Sequence, residues 1–464
     1  MIRIFNHYVS KMAFLLLLLE LGILLSATIL AGELLPPRQH EHPAEVGGRY
    51  LTSIAFTVLI LFSMSALGMY QHSLRAGVRR TLMRLMPSFA LGFLLMHALI
   101  LLRPDMYMGR ASIGLVFAIG ATGVTLTRIL VFRSAAASFI GPRLLFVGGG
   151  AQARDCIGLV ESRNGTHLPR VVGCVQVEGE EVCVAADMML PAGENLLEMA
   201  QRLGATEIVV ALANRRGAHF PGDQLLECAL RGLRVIDAAT FFEREASQIR
   251  IDSLQPSYLI YGGGFDQGFW RAAVKRGFDL VASLALFTAA LPLMLVAALC
   301  IRLEDHGPVL YSQERVGRDG RAFRVFKFRS MRTDAEAAGT PTWAALDDPR
   351  VTRVGRIMRA LRIDELPQVL NVIRGEMSFV GPRPERAYFV EQLAAQVPYY
   401  EIRHRIKPGI TGLAQVRYHY GASVNDAIEK LQYDLYYVKN NSLFLDLLIL
   451  IDTVRVVLSG NGSR

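Results

Sequence analysis

The sequence predicts a multidomain membrane protein: a bundle of four transmembrane helices, a central α/β domain, and a C-terminal α/β domain entered through a re-entrant membrane helix. Three observations carry this reading. Four uninterrupted apolar runs open the 464-residue chain, alternating strand and helix patterns follow them, and a fifth apolar run precedes a long basic segment. The chain holds 50 Lys and Arg against 41 Asp and Glu, a formal charge of +9, with 52% hydrophobic residues. Apolar runs beside a basic remainder suit a cationic body anchored at a membrane. They exclude a small disulfide-stapled module, a fibrous chain and a disordered tail. The five cysteines (Cys156, Cys174, Cys183, Cys228 and Cys300) show no CxxC or CxxH spacing and read as reduced structural thiols.

The leading runs cover 12–30, 51–69, 83–102 and 111–132, within a first domain of 1–136. At about 1.5 Å per residue, roughly 20 residues cross a hydrocarbon core of about 30 Å. The first run is too long for a cleavable signal, is interrupted by Glu20 and lacks a small-residue cleavage site, so it reads as a retained span. Glu20 reads either as a functional intramembrane acid or as a group facing a neighbouring helix. Arg75, Arg79, Arg80 and Arg84 cluster where the second run passes to the third, while Glu33, Glu41 and Glu45 stand beside Arg38 and Arg49 after the first. The positive-inside bias then places both ends of the bundle in the cytoplasm.

A βαβ pattern occupies 137–250, with RLLFV, VVGCVQV, EIVVAL and LRVID as buried parallel strands. Gly148, Gly150 and Ala153 satisfy G-x-G-x-x-A directly after a strand, the arrangement of a Rossmann-like nucleotide-binding turn at a helix N-terminus. Glu178 falls later than the acidic residue of such a fold, so a tight turn with an empty crevice is the alternative. The Gly-rich stretch YGGGFDQGF marks a linker over 251–270, leaving 271–464 as the C-terminal domain.

The fifth run, 280–301, has basic residues on both sides: Arg271, Lys275 and Arg276 before it, Arg302, Arg315, Arg318, Arg321 and Arg324 after it. Pro292 lies near its centre, and Pro removes a backbone donor and clashes one turn back. The expectation is a re-entrant helix over 275–303 that breaks near Leu291-Pro292 and returns to the cytoplasmic face, a kinked span being the alternative. The run 443–458, with Asp446, Asp452 and Arg455 interspersed, reads as an interfacial amphipathic helix.

Beyond residue 307 arginines recur beside glycines and prolines, a pattern of rigid anion binding, because the planar guanidinium matches phosphate oxygens. Arg329, Arg353, Arg356, Arg383, Arg405 and Arg417 are the candidates. A nucleic-acid face would want stacking aromatics and no membrane anchor, so no nucleic acid is expected. In Asp364-Glu365-Leu366-Pro367 the proline marks a helix start near Asp364. Asp364 is then either an N-cap or, with Glu365, a nucleophile and divalent-cation pair.

The strings KRGFDL, GPVLYSQERVGRDGRAFRVFKFRSM, DPRVTRVGR, DELPQVLNV, GEMSFVGPRPE, KPGITGLAQV and YDLYYVKNNSLFLDLLIL run in order over about 271–456. They resemble the bacterial sugar transferases, the monotopic polyprenyl-phosphate hexose-1-phosphate transferases, and the whole chain resembles the large members of exopolysaccharide operons. The resemblance implies Mg²⁺-dependent transfer of a sugar 1-phosphate from a UDP-sugar to undecaprenyl phosphate, with release of UMP, at the cytoplasmic face of the bacterial inner membrane. It implies that Asp364 forms a phosphosugar-enzyme intermediate with Glu365 as catalytic partner, both near the metal. It further implies that Lys327 acts on phosphate and that Asp446, or Asp434, is a further essential acid. Where small members carry an arginine in a loop after AQV, this chain reads RYHYGAS, which makes Arg417 the nearest match. Where many members have Ser-Pro at the membrane break, this chain has Leu291-Pro292.

The implied partners are the UDP-sugar, the lipid acceptor and the bilayer, with a homodimer left open. A non-catalytic regulator sensing a nucleotide through GGGAQA is the competing reading. A transporter is disfavoured, because four spans without internal repeats offer no midplane site.

Overall fold

The computed structural model describes residues 2–4, 7–9, 11–34, 46–70, 77–107, 109–138, 141–162, 169–191, 193–212, 220–254, 258, 263, 265, 268–332, 350–418 and 423–458. Expectations resting on Arg38, Glu41, Glu45, Arg75 and most of the stretch 255–267 lie outside the described residues. The chain forms two compact units, one of Tyr8–Phe241 and one of Phe242–Arg464 with Arg3–His7.

The first unit opens with four apolar helices: α1 (Lys11–Leu34), α2 (Val46–Ala66), α3 (Gly77–Leu102) and α4 (Arg110–Ser138). Helices α1, α3 and α4 are long and apolar enough to cross a membrane; the apolar part of α2, Tyr50–Ala66, is shorter. Helix α2 stops short of the expected residue 69 because Gly68 adopts φ +75° and the Met69 N–H bonds back to the Met64 carbonyl at 3.0 Å. Arg79, Arg80 and Arg84 belong to α3 itself rather than to the loop before it. Leu24, Phe56, Ile60, Met64, Phe89 and Val124 are buried between these helices.

Glu20 has a partner there. It is fully buried and accepts from Arg128 on α4, Nε to Oε1 at 2.6 Å and Nη2 to Oε2 at 3.0 Å. Tyr70 donates its hydroxyl to Glu20 Oε2 at 2.5 Å, and Arg128 also reaches the Met69 carbonyl at 3.3 Å. Of the two readings of Glu20, the helix-facing one acquires specific geometry: two charges costly in hydrocarbon neutralise each other.

Five parallel strands follow, β1 (Arg143–Val147), β2 (Arg170–Val175), β3 (Met189–Leu190), β4 (Glu207–Val210) and β5 (Arg234–Asp237), in the order β3-β2-β1-β4-β5. Helices α5 (Ala151–Glu161), α6 (Leu196–Arg202) and α7 (Gly222–Leu230) lie between them in sequence. The buried strand residues Leu145, Val147, Ile208 and Val210 pack with Leu196, Ala200 and Leu225. Two-residue β3 was not foreseen, being too short to carry a period. The cysteines are free thiols, three of them buried.

The boundary between the units falls at Phe241/Phe242, within α8 (Ala238–Ala246), rather than at residue 250. Ile249 and Leu254 are core residues of the second unit. Buried Glu243 accepts from Lys439 Nζ and Asn440 Nδ2, both at 2.9 Å, and from the Tyr258 hydroxyl. Glu243 and Ile249, read from sequence as the end of the central domain, and Leu254 and Tyr258 of the expected linker are therefore held in the second fold.

That fold contains α9 (Phe269–Asp305), an antiparallel hairpin of β6 (Leu310–Val316) and β7 (Ala322–Phe328), α10 (Arg353–Ala360) and α11 (Val369–Arg374). Strand β8 (Ser378–Val380) pairs in parallel with β9 (Gly409–Thr411), and α12 (Ala387–Gln396), α13 (Leu413–Arg417), α14 (Val424–Asn440) and α15 (Leu443–Leu458) complete it. Helix α9 is also long and apolar enough to cross a membrane. The break expected near Leu291-Pro292 is absent: one helix runs through Pro292. Leu, Met and Ala fill the turns around the proline, and strong helix formers on both sides outweigh one missing backbone bond.

The buried Glu20–Arg128 pair yields a prediction. Glu20→Ala leaves a buried guanidinium uncompensated and should cost about 3–5 kcal/mol. Glu20→Gln with Arg128→Met should recover most of that loss. Thermal unfolding of the full chain in detergent measures both.

Candidate functional site

Three stretches far apart in sequence meet in the second unit. The hairpin strand β7 brings Lys327, a 3-10 segment over Ile363–Gln368 brings Asp364 and Glu365, and the loop after β8 brings Arg383. Buried Asn371 on α11 sets the register between the first two. Its amide donates to the Arg324 carbonyl at 2.7 Å and to Glu376 Oε2 at 2.7 Å, and its Oδ1 accepts from Phe326 N–H at 3.0 Å. Sequence reasoning missed Asn371, although a polar residue among the apolar positions of DELPQVLNV was the available signal.

Lys327 Nζ donates to Glu365 Oε1 at 3.0 Å, Arg383 Nη2 reaches the same oxygen at 3.2 Å, and Arg362 Nη1 stands 3.8 Å away. Burial alone would raise the Glu365 carboxyl, but these cations outweigh it and hold the group well below the usual carboxylate range. Burial pushes the Lys327 ammonium down, Glu365 pulls it partly back, and Arg383 adds to the lowering.

Asp364 is placed differently. It is buried, and its Oδ1 has no hydrogen-bond partner within the protein. Burial and then the Glu365 charge raise its carboxyl, while Lys327, Arg359 and Arg362 pull it back only in part. The N-cap reading is overturned. Arg362, in the left-handed region at φ +57°, caps the 3-10 segment, Asp364 lies inside it without a capping bond, and the α-helix begins only at Val369. A buried carboxylate oxygen left unpaired costs stability, and such groups concentrate where chemistry is done.

The other expected residues disperse. Arg329 is buried and pairs with Asp305, leaving Nε and Nη1 buried without partners. Arg353 offers its backbone N–H to Glu304 at 2.8 Å, and its side chain is exposed, as are those of Arg356 and Arg405. Arg417 stands 3.5 Å from Asp452. Asp446 is fully buried and accepts from Lys275 Nζ at 2.6 Å and from the Tyr437 hydroxyl at 2.5 Å. Asp434 is taken by Arg403, with Nε at 3.1 Å and Nη2 at 2.8 Å.

The KRGFDL string supplies three further anchors that were not foreseen as such. Lys275 binds Asp446, Arg276 donates to the Val372 and Ile373 carbonyls at 2.6 and 2.7 Å, and Asp279 accepts from Ser378 Oγ at 3.0 Å and Phe379 N–H at 3.2 Å.

In the first unit, Gly148, Gly150 and buried Ala153 form the expected turn into α5, with Gly148 at φ +111°. The acid that meets it is Glu180 rather than Glu178. The Gly149 N–H donates to Glu180 Oε2 at 2.9 Å, and a Cβ at Gly150 would fall 2.6 Å from Glu180 Oε1. A carboxylate of the chain itself lies where a phosphate would be cradled. A cavity of about 340 Å³ on this domain is lined by residues such as Phe220, Leu225 and Asp237, not by the glycine turn.

Among the described residues no group of three His, Cys, Asp or Glu side chains converges as a metal cage. Mg²⁺ asks for less, commonly one or two carboxylates with substrate phosphates completing its shell. The orphaned Asp364 oxygen, next to Glu365, fits that demand.

Helices long and apolar enough to cross a membrane, joined to a domain with a basic site beside an unpaired acid, define a membrane protein. The family model described as bacterial sugar transferase matches residues 270–460. A UDP-N-acetylgalactosamine-undecaprenyl-phosphate N-acetylgalactosaminephosphotransferase of Aeromonas hydrophila is 42% identical over 265 residues, 56% of this chain and 62% of the relative. An undecaprenyl-phosphate glucose phosphotransferase of Komagataeibacter xylinus is 44% identical over 191 residues, 40% of this chain and 36% of the relative. The exopolysaccharide production protein PSS of Rhizobium leguminosarum bv. phaseoli is 42% identical over 189 residues, 39% of this chain and 93% of the relative. The chain thus spans 62% and 36% of the lengths of the first two relatives, and nearly all of the third. It belongs to the bacterial sugar transferase family.

The strained state of Asp364 has a measurable consequence. A carboxyl raised on folding opposes folding in its charged form, and that penalty vanishes once both folded and unfolded chains are protonated. Asp364→Asn should therefore melt above the wild type near pH 8 in chelating buffer, and the gap should close as pH falls through the raised value toward the ordinary carboxylate range. A calorimetric pH series reads the difference.

Proposed function

We propose that the chain transfers a sugar 1-phosphate from a UDP-sugar to undecaprenyl phosphate at the cytoplasmic face of the inner membrane, releasing UMP and initiating exopolysaccharide synthesis. The observation that carries this is the unpartnered Asp364 oxygen beside the Lys327–Glu365–Arg383 cluster. The names of two relatives describe phosphotransferases of undecaprenyl phosphate, and a third is named for exopolysaccharide production. One carries N-acetylgalactosamine and another glucose in its name, so the sugar is a matter for assay.

In the first displacement an Asp364 oxygen attacks the sugar-bearing phosphorus, the bond from that phosphorus to UMP breaks, and UMP leaves with the electron pair. In the second, an oxygen of the lipid phosphate attacks the same phosphorus and Asp364 departs as carboxylate. A carboxylate nucleophile lets a soluble donor and a lipid acceptor use one site in turn. Lys327 and Arg383 lie where they can meet the diphosphate and lower the repulsion between it and Asp364. Mg²⁺, held by Asp364 and Glu365 with the donor phosphates, would supply further charge neutralisation. Arg329, with two buried N–H groups unpaired, is the remaining candidate for phosphate contact. Asp446, Arg353 and Arg417 act, in this reading, outside the contact shell.

Although α9 runs unbroken through Pro292, we read both its flanks on one face of the membrane rather than as the two ends of a span. It touches the core of its unit at Ala282 and again at Met294. About 12 residues separate these points, roughly 18 Å of helix against about 30 Å of hydrocarbon, so both flanks belong on one face of the membrane. The central domain reads as Rossmann-like by its strand order. The alternative of a nucleotide-sensing regulator is weakened by Glu180, which fills the cradle such a ligand would need.

With UDP-sugar and Mg²⁺ but no lipid, the wild type should release UMP and gain the mass of one sugar phosphate. Asp364→Asn should lose the adduct and at least about a thousandfold of turnover. Lipid-linked product from Asp364→Asn would overturn the covalent route.

Topology is read separately by labelling Val274→Cys and Arg321→Cys, both at exposed positions, with an impermeant reagent in intact cells. Neither should react from outside. Labelling of Arg321→Cys alone would mean that α9 spans.

A further inference from the structure

Residues 380–385, the loop that presents Arg383, are fixed along their backbone. The Val380 carbonyl accepts from Tyr437 Oη at 2.9 Å and Lys275 Nζ at 3.3 Å, and Pro382 from Gly409 N–H at 3.0 Å. The Pro384 carbonyl accepts from Arg315 Nη1 at 3.4 Å, and Glu385 from Val316 N–H at 2.9 Å. Gly381 and Gly409 let the two chains touch, since a Cβ on Gly409 would lie 2.1 Å from Gly381 N.

The carbonyl of Arg383 itself accepts from Arg403 Nη2 at 3.0 Å. Arg403 is buried, and each of its nitrogens is engaged. Nε and Nη2 hold Asp434, and Nη1 donates to the Tyr400 hydroxyl at 2.7 Å. Its guanidinium also lies over the Tyr400 ring, 5.1 Å from the centroid.

We propose that Arg403 is a positioning residue: by gripping the Arg383 carbonyl from a plane that Asp434 and Tyr400 fix, it sets where the Arg383 guanidinium meets Glu365. The proposal rests on the transferase reading of the site. Neither Arg403 nor the Asp434 pair touches the reacting groups, so their effect must pass through Arg383. The guanidinium reaches the Asp434 carboxylate, the Tyr400 hydroxyl and the Arg383 carbonyl from three nitrogens fixed in one plane, a geometry that the single nitrogen of a lysine at this position gives up. Displacement of a reacting site by about 1 Å from remote changes can cost about a hundredfold in rate.

The test is a double-mutant cycle on UMP release by the full-length chain in detergent. Arg403→Lys keeps a cation against Asp434 and so preserves the fold, but gives up the fork. It should lower kcat about 10- to 100-fold with donor KM changed less than about threefold. In an Arg383→Met background the same change should cost no more than about threefold further, because the residue through which it acts is already gone. Losses that multiply across the cycle would overturn the proposal and make Arg403 a purely structural group. If Arg403→Lys does not yield a monodisperse protein, Arg403→Gln with Asp434→Asn replaces it: a neutral pair that leaves no buried charge and still drops the bond to Arg383. A wild type that releases no UMP from UDP-glucose, UDP-galactose or their N-acetylated forms overturns the reading of the site and this proposal with it. Activity with multiplicative losses overturns the positioning role alone.

Discussion

Lys327, Arg383 and, more distantly, Arg362 direct their charge at a single oxygen of Glu365, and most of the C-terminal fold serves that convergence. Two like charges repel at this distance, so Glu365 makes it possible to hold a half-buried lysine and arginine at one point. The hairpin, the 3-10 segment and the arginine loop come from separate parts of the chain. Asn371 fixes the first pair in register, and Arg403 fixes the third from behind. Asp364 bears the consequence: with the cations turned to its neighbour, its own oxygen has no partner.

The membrane helix is part of the same construction rather than an appendage. Lys275, Arg276 and Asp279 at its base bind Asp446, the end of α11 and the start of β8, while Ala297 and Ile301 near its far end pack on Phe328 and Met358. The strand that carries Lys327 therefore leans on one end of the helix, and the strand leading to Arg383 is tied to the other. Both sides of the cluster therefore rest on contacts with α9.

The architecture was legible because its signals are local. Long apolar runs, the strand-turn-helix at Gly148 and the dense strings beyond residue 307 each announce themselves within a short window. Individual roles were less so. Asp364 looks like an N-cap from its neighbours, and only the family likeness raised it above that; the left-handed Arg362, which no sequence rule foretells, is what removes it from capping. Counting arginines could not separate Arg383, which reaches the cluster, from Arg353, whose side chain is exposed, because that depends on tertiary placement. Arg403 stands two residues before Arg405 in a string whose arginines read alike as anion binders, so nothing local marked it as a structural group. Glu180 was overlooked because the usual spacing of an acid after a glycine turn assumes a ligand, not a carboxylate taking the ligand's place. The local rule for proline failed at Pro292 because anchors at both ends of α9 and strong helix formers around it favour continuity.

The Glu20–Arg128 pair also bears on how the protein is made. The partners are 108 residues apart, one in the first helix and one in the fourth. At synthesis rates of about 5–20 residues per second, the acid waits on the order of 5 to 20 seconds before its arginine is even translated. The first helix must therefore enter the bilayer on the strength of its leucines, carrying an unmatched polar group. Closure of the bundle around this pair is consequently a late event, accessible only after the fourth helix has been delivered.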